Sequence, residues 1–442
     1  MTFKKIIFYP VSILIGLFIY YLLFRLNIIN PDYSFGIPEN CVDVINYQIS
    51  DSSNFFKYPF SCDQEMYYSG FENFSVVISE TYNYQARPLY ILGGSIFYQL
   101  VNFILNILNI EFEYTTQVAI FLYQLLIVNS IVYILYKSLS RHVKISNFEY
   151  FSMLALVMIN PIYKWGIFVP SHQTATLLLI AFFFYYSTIN IPVNKNTALI
   201  FGLFFLFHRA FLISYLALVL YKNINNLLKR KTYIENTKLL FYFLLPNLVY
   251  ESFIRFILER STYDANTEYW GQFIWIFDFV RGKVRYESEW HCVTIPENFI
   301  CYLTDFKKMI MYIAFPVLLI FSIYLLNYLL REHQSYLLIK ESIFISVSLF
   351  AFWSLIGWYP PIRFNFYSIG HFATILLIIF LINEQKTINK ALILLASFSA
   401  YIFIPHWNIP KIEIVIETYQ VITIILLLSL VISKIYEKRN SQ

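Results

Sequence analysis

Charge is what this chain most lacks. Only 13% of its 442 residues are Asp, Glu, Lys or Arg, against roughly 25% in soluble domains. Hydrophobic residues make up 58%. That balance excludes an ordinary soluble domain and predicts an integral membrane protein. Glycine is scarce too, at 11 residues. No Gly-rich phosphate loop is present, so a soluble nucleotide-binding domain has no motif to carry it. Few glycines and no internal repeat also count against a transporter, which often shows two related halves and Gly/Pro-broken helices. The four cysteines, Cys41, Cys62, Cys292 and Cys301, show no C-x-x-C spacing and no clustered histidines. Zinc is therefore not expected, with His291 beside Cys292 as one weak exception. Each pair of cysteines falls in a polar stretch. Four cysteines allow three connectivities. The simplest is local, Cys41–Cys62 and Cys292–Cys301, in an oxidising compartment. No nucleic-acid motif occurs.

Aromatic residues are abundant. They reach 20%, with 45 Phe and 38 Tyr, and amphipathic rings suit membrane interfaces. Apolar runs fall at 6–29, 89–110, 116–136, 148–168, 172–190, 197–221, 239–257, 309–330, 341–358, 366–383, 389–404 and 418–436. A crossing needs about 20 such residues. The first run follows Lys4 and Lys5, lacks a small-residue cleavage site, and reads as an uncleaved anchor with a cytoplasmic N-terminus. If every run crosses once, the loop 137–147, with Lys137, Arg141, His142 and Lys144, falls outside, against the positive-inside rule. Two changes repair the pattern. Residues 89–110, with Gly93, Gly94, Ser95, Gln99, Asn102, Asn106 and Asn109, become an interfacial helix that does not cross. The run 197–221 becomes a helical hairpin with His208 and Arg209 at its outer tip. The loops bearing Lys222, Lys229, Arg230, Lys231 and Lys238, then Arg331 and Lys340, then Lys386 and Lys390, all become cytoplasmic. So does the tail with Lys434, Lys438 and Arg439. The expected fold is all-α and polytopic, a single membrane domain over 1–442 with 11–12 transmembrane helices. Its first external loop is 30–115, carrying interfacial helices, and its second is 258–308.

Nearly every residue with chemical potential then collects outside. "SCDQEMYYSGF" holds Asp63 and Glu65, two residues apart and so on different faces of a helix. One reading is a general base that deprotonates an acceptor hydroxyl; the other is two solvated acids. Arg87 precedes Pro88, a residue that starts a helix well, and could fork onto phosphate or simply anchor at the interface. "FVPSHQTATLLL" puts His172 at a helix start that favours anions, or leaves it exposed beside a Ser171 cap. His208-Arg209, inside an apolar run, is a functional-site hypothesis by default. Arg363 and His371 could face a phosphate or the lipid. In 258–308, Trp270, Trp275 and Trp290 could stack on sugars or anchor the loop, and Arg281, Lys283 and Arg285 form a basic cluster.

The order of "CDQEMYYSGF", "ARPLYIL", "PSHQTATLLL", "FHRAF" and "IRFNFYSIGHF" resembles the GT-C superfamily of membrane glycosyltransferases. The likeness covers most of the chain in layout and few residues in detail. It implies a catalytic acid in the first external loop, pointing to Asp63, and a non-spanning helix in that loop. It also implies basic residues on the phosphate of a polyprenyl-phosphate-linked sugar, for which His208-Arg209 and Arg363 match. Many family members carry a second acid where this chain has His172-Gln173, which implies an inverting, metal-independent, single-base reaction with no cofactor. The expected setting is a bacterial inner membrane with the active site outside. The partners are the lipid-linked sugar donor and a glycan, lipid or protein acceptor. An O-antigen-type polysaccharide polymerase is the nearest alternative, and a transporter or flippase stands further off.

Overall fold

The computed structural model describes residues 8–21, 62–79, 87–112, 114–160, 167, 175–189, 192–224, 229–258, 334–355, 361–384, 386–402 and parts of 425–432. Among them every element is helical and no strand occurs. In chain order the helices are α1 (Phe8–Tyr20), α2 (Cys62–Glu72), α3 (Ser75–Ser79), α4 (Pro88–Ile107), α5 (Thr115–Leu139), α6 (Asn147–Ile159), α7 (Thr176–Ser187), α8 (Lys195–Phe205), α9 (Phe211–Asn223), α10 (Arg230–Ser252), α11 (Gln334–Leu355), α12 (Pro361–Asn383) and α13 (Thr387–Ile402). A π-helical turn, Phe253–Ile257, continues α10.

Three described helices are long and apolar enough to cross a membrane: Pro88–Ile107, Thr115–Leu139 and Ile234–Ile257. That length and composition support membrane association. Length and composition put α4 among the three, so the reading of 89–110 as an interfacial helix rests on the charge balance of the loops, on its scattered polar residues and on the family resemblance. Other apolar helical stretches among the described residues, such as Thr176–Ser187, Phe211–Asn223 and Gly370–Asn383, are 10–17 residues long. Of the run 148–168, α6 covers the residues up to Ile159. The run 197–221 is two helices, α8 and α9, joined by a turn that holds His208 and Arg209. A charged pair in mid-run predicts that break.

The chain divides into two compact units. One contains α1–α5 and α7–α10. Within it, Tyr9 Oη donates to the Leu122 carbonyl at 2.6 Å and Asn129 donates to Ser12 Oγ at 2.8 Å, fastening α1 to α5. α8 and α10 meet at Gly202. A Cβ there would stand 2.1 Å from the Phe243 carbonyl oxygen and 3.1 Å from Pro246 Cδ. Only a hydrogen fits, as at close helix contacts in membranes. The rings of Tyr215 and Phe243 stack at 4.7 Å and 14° across α9 and α10.

The second unit contains α6 and α11–α13. Ser146 and Glu149 form a capping box that starts α6, satisfying two orphan donors of its first turn. Glu149 also accepts from Lys390 of α13, and the two form a mostly buried ion pair. Asn160, where α6 ends, donates to Thr374 Oγ1 at 2.5 Å and to the Gly370 carbonyl at 3.1 Å, locking α6 to α12. These polar contacts tie α6 to α12 and α13.

Candidate functional site

Arg87 is the sequence-predicted candidate that α2 and the α8–α9 turn both approach. Pro88 opens α4 and Arg87 is its N-cap, with an irregular backbone (φ −138°, ψ 49°) and no side-chain cap. The guanidinium is therefore not engaged in capping its own helix. Its Nη1 donates to the Tyr67 hydroxyl of α2 at 3.0 Å. Asp63 lies one helical turn before Tyr67, in the first turn of α2. The bond thus ties the helix carrying the acidic candidate to the arginine.

A layer of aromatic rings supports this contact. Tyr67 meets Tyr90 edge-on at 5.5 Å, and Tyr90 meets Phe207 edge-on at 5.5 Å. Tyr90 is fully buried, yet its hydroxyl and carbonyl oxygens both accept hydrogen bonds. Gln124 Nε2 donates to its hydroxyl at 2.8 Å, and Tyr123 Oη donates to its carbonyl at 2.9 Å. A buried tyrosine satisfied in this way is rigid, because breaking either bond strands a polar atom. Gly70 and Gly94 let α2 and α4 close up. A Cβ on Gly94 would meet Phe71 ring atoms at 2.4 Å, and one on Gly70 would meet Ile91 Cγ2 at 2.9 Å.

His208 joins the same neighbourhood from the α8–α9 turn. Leu89 N donates to the Leu206 carbonyl at 3.3 Å, bringing that turn against the start of α4. The imidazole is 4% exposed, and its Nδ1 accepts from Ala210 N at 3.1 Å. Burial, and after it the charge of Arg87, lowers the imidazole to about 3. It is neutral at physiological pH, so Arg87 carries the positive charge of this pair.

Arg209, the next residue, points its charge elsewhere. Its Nη1 donates to Asn247 Oδ1 at 2.9 Å, its Nη2 stands 4.0 Å from Glu251 Oε1, and its guanidinium lies over the Phe205 ring at 4.6 Å. The structure brings Arg87, Tyr67 and His208 together and gives Arg209 a separate set of partners on α10. Arg363 sits in the first turn of α12, in the second unit, and His371 is buried further along that helix. The side chains of Cys62, Asp63, Glu65 and Arg363 lie outside the described residues, as do His172, Cys41, Cys292, Cys301 and nearly all of 258–308. Tyr67, Tyr90, Tyr123 and Gln124 are not identifiable from the sequence. With 38 tyrosines, none stands out until its partner, 20 to 34 residues away, is known.

Compared with family models, curated proteins and solved structures, the chain matches none.

Proposed function

We propose that the chain is a polytopic membrane glycosyltransferase. It moves a sugar from a polyprenyl-phosphate donor to a glycan, lipid or protein acceptor on the outer face of a bacterial inner membrane. The observation that carries this reading is the Arg87–Tyr67 bond, which ties a guanidinium, beside a neutral histidine, to the helix that bears Asp63. Asp63 accepts the proton of the acceptor hydroxyl, whose oxygen attacks the anomeric carbon. The bond from that carbon to the phosphate oxygen breaks with inversion, and the lipid phosphate leaves as an anion. Arg87 offers it paired N–H donors in a fork that matches phosphate geometry. A fixed charge of this kind in a water-poor site is worth several kcal/mol to the transition state. Tyr67 holds the guanidinium in place.

Arg209 is the weaker phosphate ligand of the two, since its charge is shared with Glu251. Glycan analysis tests the reading. Strains carrying Asp63→Asn or Arg87→Ala, at wild-type protein levels, should lack the transferred sugar. Normal glycans in both would remove these residues from the chemistry. Shortened polymers with Arg87→Ala but full-length ones with Asp63→Asn would select the polymerase instead.

A further inference from the structure

We propose that the cavity between α7, α8 and α9 is a binding site for the headgroup of a neutral membrane glycolipid, one that carries a single sugar. It shares no residue with the site of Asp63 and Arg87 and does not depend on the glycosyltransferase reading. The cavity measures about 180 Å³ and lies between Tyr186 at the end of α7, the segment after it, the start of α8 and Leu218 of α9. That is far above the ~10–15 Å³ that holds one water, and below the ~300–1,000 Å³ of sites for drug-sized molecules. A single sugar ring falls between the two. Lys222 of α9 donates to the carbonyls of Ser187, at 2.9 Å, and of Ile189, and so holds the wall that Ile189 contributes. Phe182 and Phe201 pack against the Tyr186 ring at 6.3 and 5.5 Å, which fixes the phenol.

Three polar side chains line the cavity with hydrogen-bonding capacity to spare. Asn194 Oδ1 accepts from Thr197 N at 3.0 Å and from Thr197 Oγ1 at 3.3 Å, which leaves its amide nitrogen for another partner. Among the described residues, neither that nitrogen nor the Asn196 carboxamide nor the Tyr186 hydroxyl makes a hydrogen bond. Two amides and a phenol supply both donors and acceptors, which suits sugar hydroxyls that both give and accept. No charged side chain is among the described residues that line the cavity. An ionic head would therefore be enclosed without a counter-charge, at a cost that a neutral sugar avoids. The apolar lining points to a lipid rather than a soluble sugar. Ile189, Ile200 and Leu218 face the same space. Asn196, Ile200 and Leu203 follow at i, i+4 and i+7 along one face of α8. Asn196 is exposed, Ile200 half-buried and Leu203 48% exposed. At ~1.5 Å per residue the track is roughly 10 Å long, and it runs from an amide to bare aliphatic surface. A headgroup in the cavity would lead its acyl chain onto Leu203.

Native mass spectrometry of the purified full chain tests the site, with titrations of glucosyl diacylglycerol, of diacylglycerol with the same chains, and of phosphatidylglycerol. The wild type should retain one glucosyl diacylglycerol in preference to both other lipids. Asn196→Ala, at an exposed position, should weaken that retention roughly tenfold. Tyr186→Phe, which keeps the ring and its packing, should do the same. Equal retention of glucosyl diacylglycerol and diacylglycerol overturns the proposal, as does unchanged retention in either variant. A preference for phosphatidylglycerol would make the head anionic and overturn it too. Free glucose that displaces the lipid at millimolar concentration would assign the cavity to a soluble sugar and overturn the lipid.

Discussion

At one end of the α7–α10 group, positive charge meets the main chain. Lys222 of α9 donates to the carbonyls of Ser187, at 2.9 Å, and of Ile189, closing the end of α7. Asn223 bonds Asn236 across to α10 at 3.3 Å, and Asn194 caps α8 through Thr197 N at 3.0 Å. At the other end, positive charge meets side chains: Arg87 with Tyr67 and neutral His208, Arg209 with Asn247 and Glu251. The difference teaches where to look for chemistry. A lysine bound to helix carbonyls completes backbone hydrogen bonding that a membrane cannot supply. An arginine held by tyrosine and amide side chains is oriented, with its planar donors fixed in direction. The first end also carries Lys195, Lys229 and Lys238, the excess of lysine that the positive-inside rule expects on one side of a membrane protein.

The largest effect that would test this contrast is on activity. Arg87→Ala should cut product formation by about 10²–10³, the loss typical of one transition-state donor, while Lys222→Met leaves it near wild type. Similar losses in both would erase the distinction between the two ends. Next in size is a packing effect that spares the site. Gly202→Ala forces a Cβ against the Phe243 carbonyl, and melting of the purified chain should show a loss of about 1–3 kcal/mol. A neutral result would mean that α8 and α10 are not in that close contact.

A pH effect comes third. His208 is lowered from its ordinary 6.5 to about 3. Below pH 6.5 the unfolded chain binds a proton that the folded chain refuses until about pH 3. Stability therefore falls as the pH drops through that window. Thermal melting followed from about pH 7 to pH 5 should show a shallower decline in His208→Gln than in the wild type. Identical slopes would place the imidazole in water. The smallest effect is the lysine end itself: Lys222→Met should cost ~1 kcal/mol through the lost carbonyl bonds, read in the same melting experiment.

Much of the layout was legible in the sequence because membranes penalise charge so heavily. His208-Arg209 in the middle of 197–221 forced a break, and the structure has a turn there. Pro88 predicted a helix start, and α4 begins at that residue. What was not legible were pairings between residues distant in sequence. Glu149 and Lys390 are 241 residues apart; from the sequence, the first was one acid near a basic loop and the second a loop lysine. Arg209 read as a phosphate ligand, and its ion pair with Glu251, on the far side of a lysine-rich loop, left no mark in the sequence. Arg87 read either as a fork onto phosphate or as an interfacial anchor, and the Tyr67 hydroxyl it donates to lies 20 residues away. Local signals of capping, proline and charge are strong in one sequence, whereas a tertiary bond leaves no mark on either partner alone.

The central claim is that Arg87 and the helix of Asp63 act on a lipid-linked sugar. Its most direct test is lipid extraction from a strain whose only copy carries Arg87→Ala, at wild-type protein level. The claim predicts that the polyprenyl-phosphate-linked sugar accumulates while the sugar disappears from the acceptor. An unchanged lipid extract and an unchanged acceptor would contradict it.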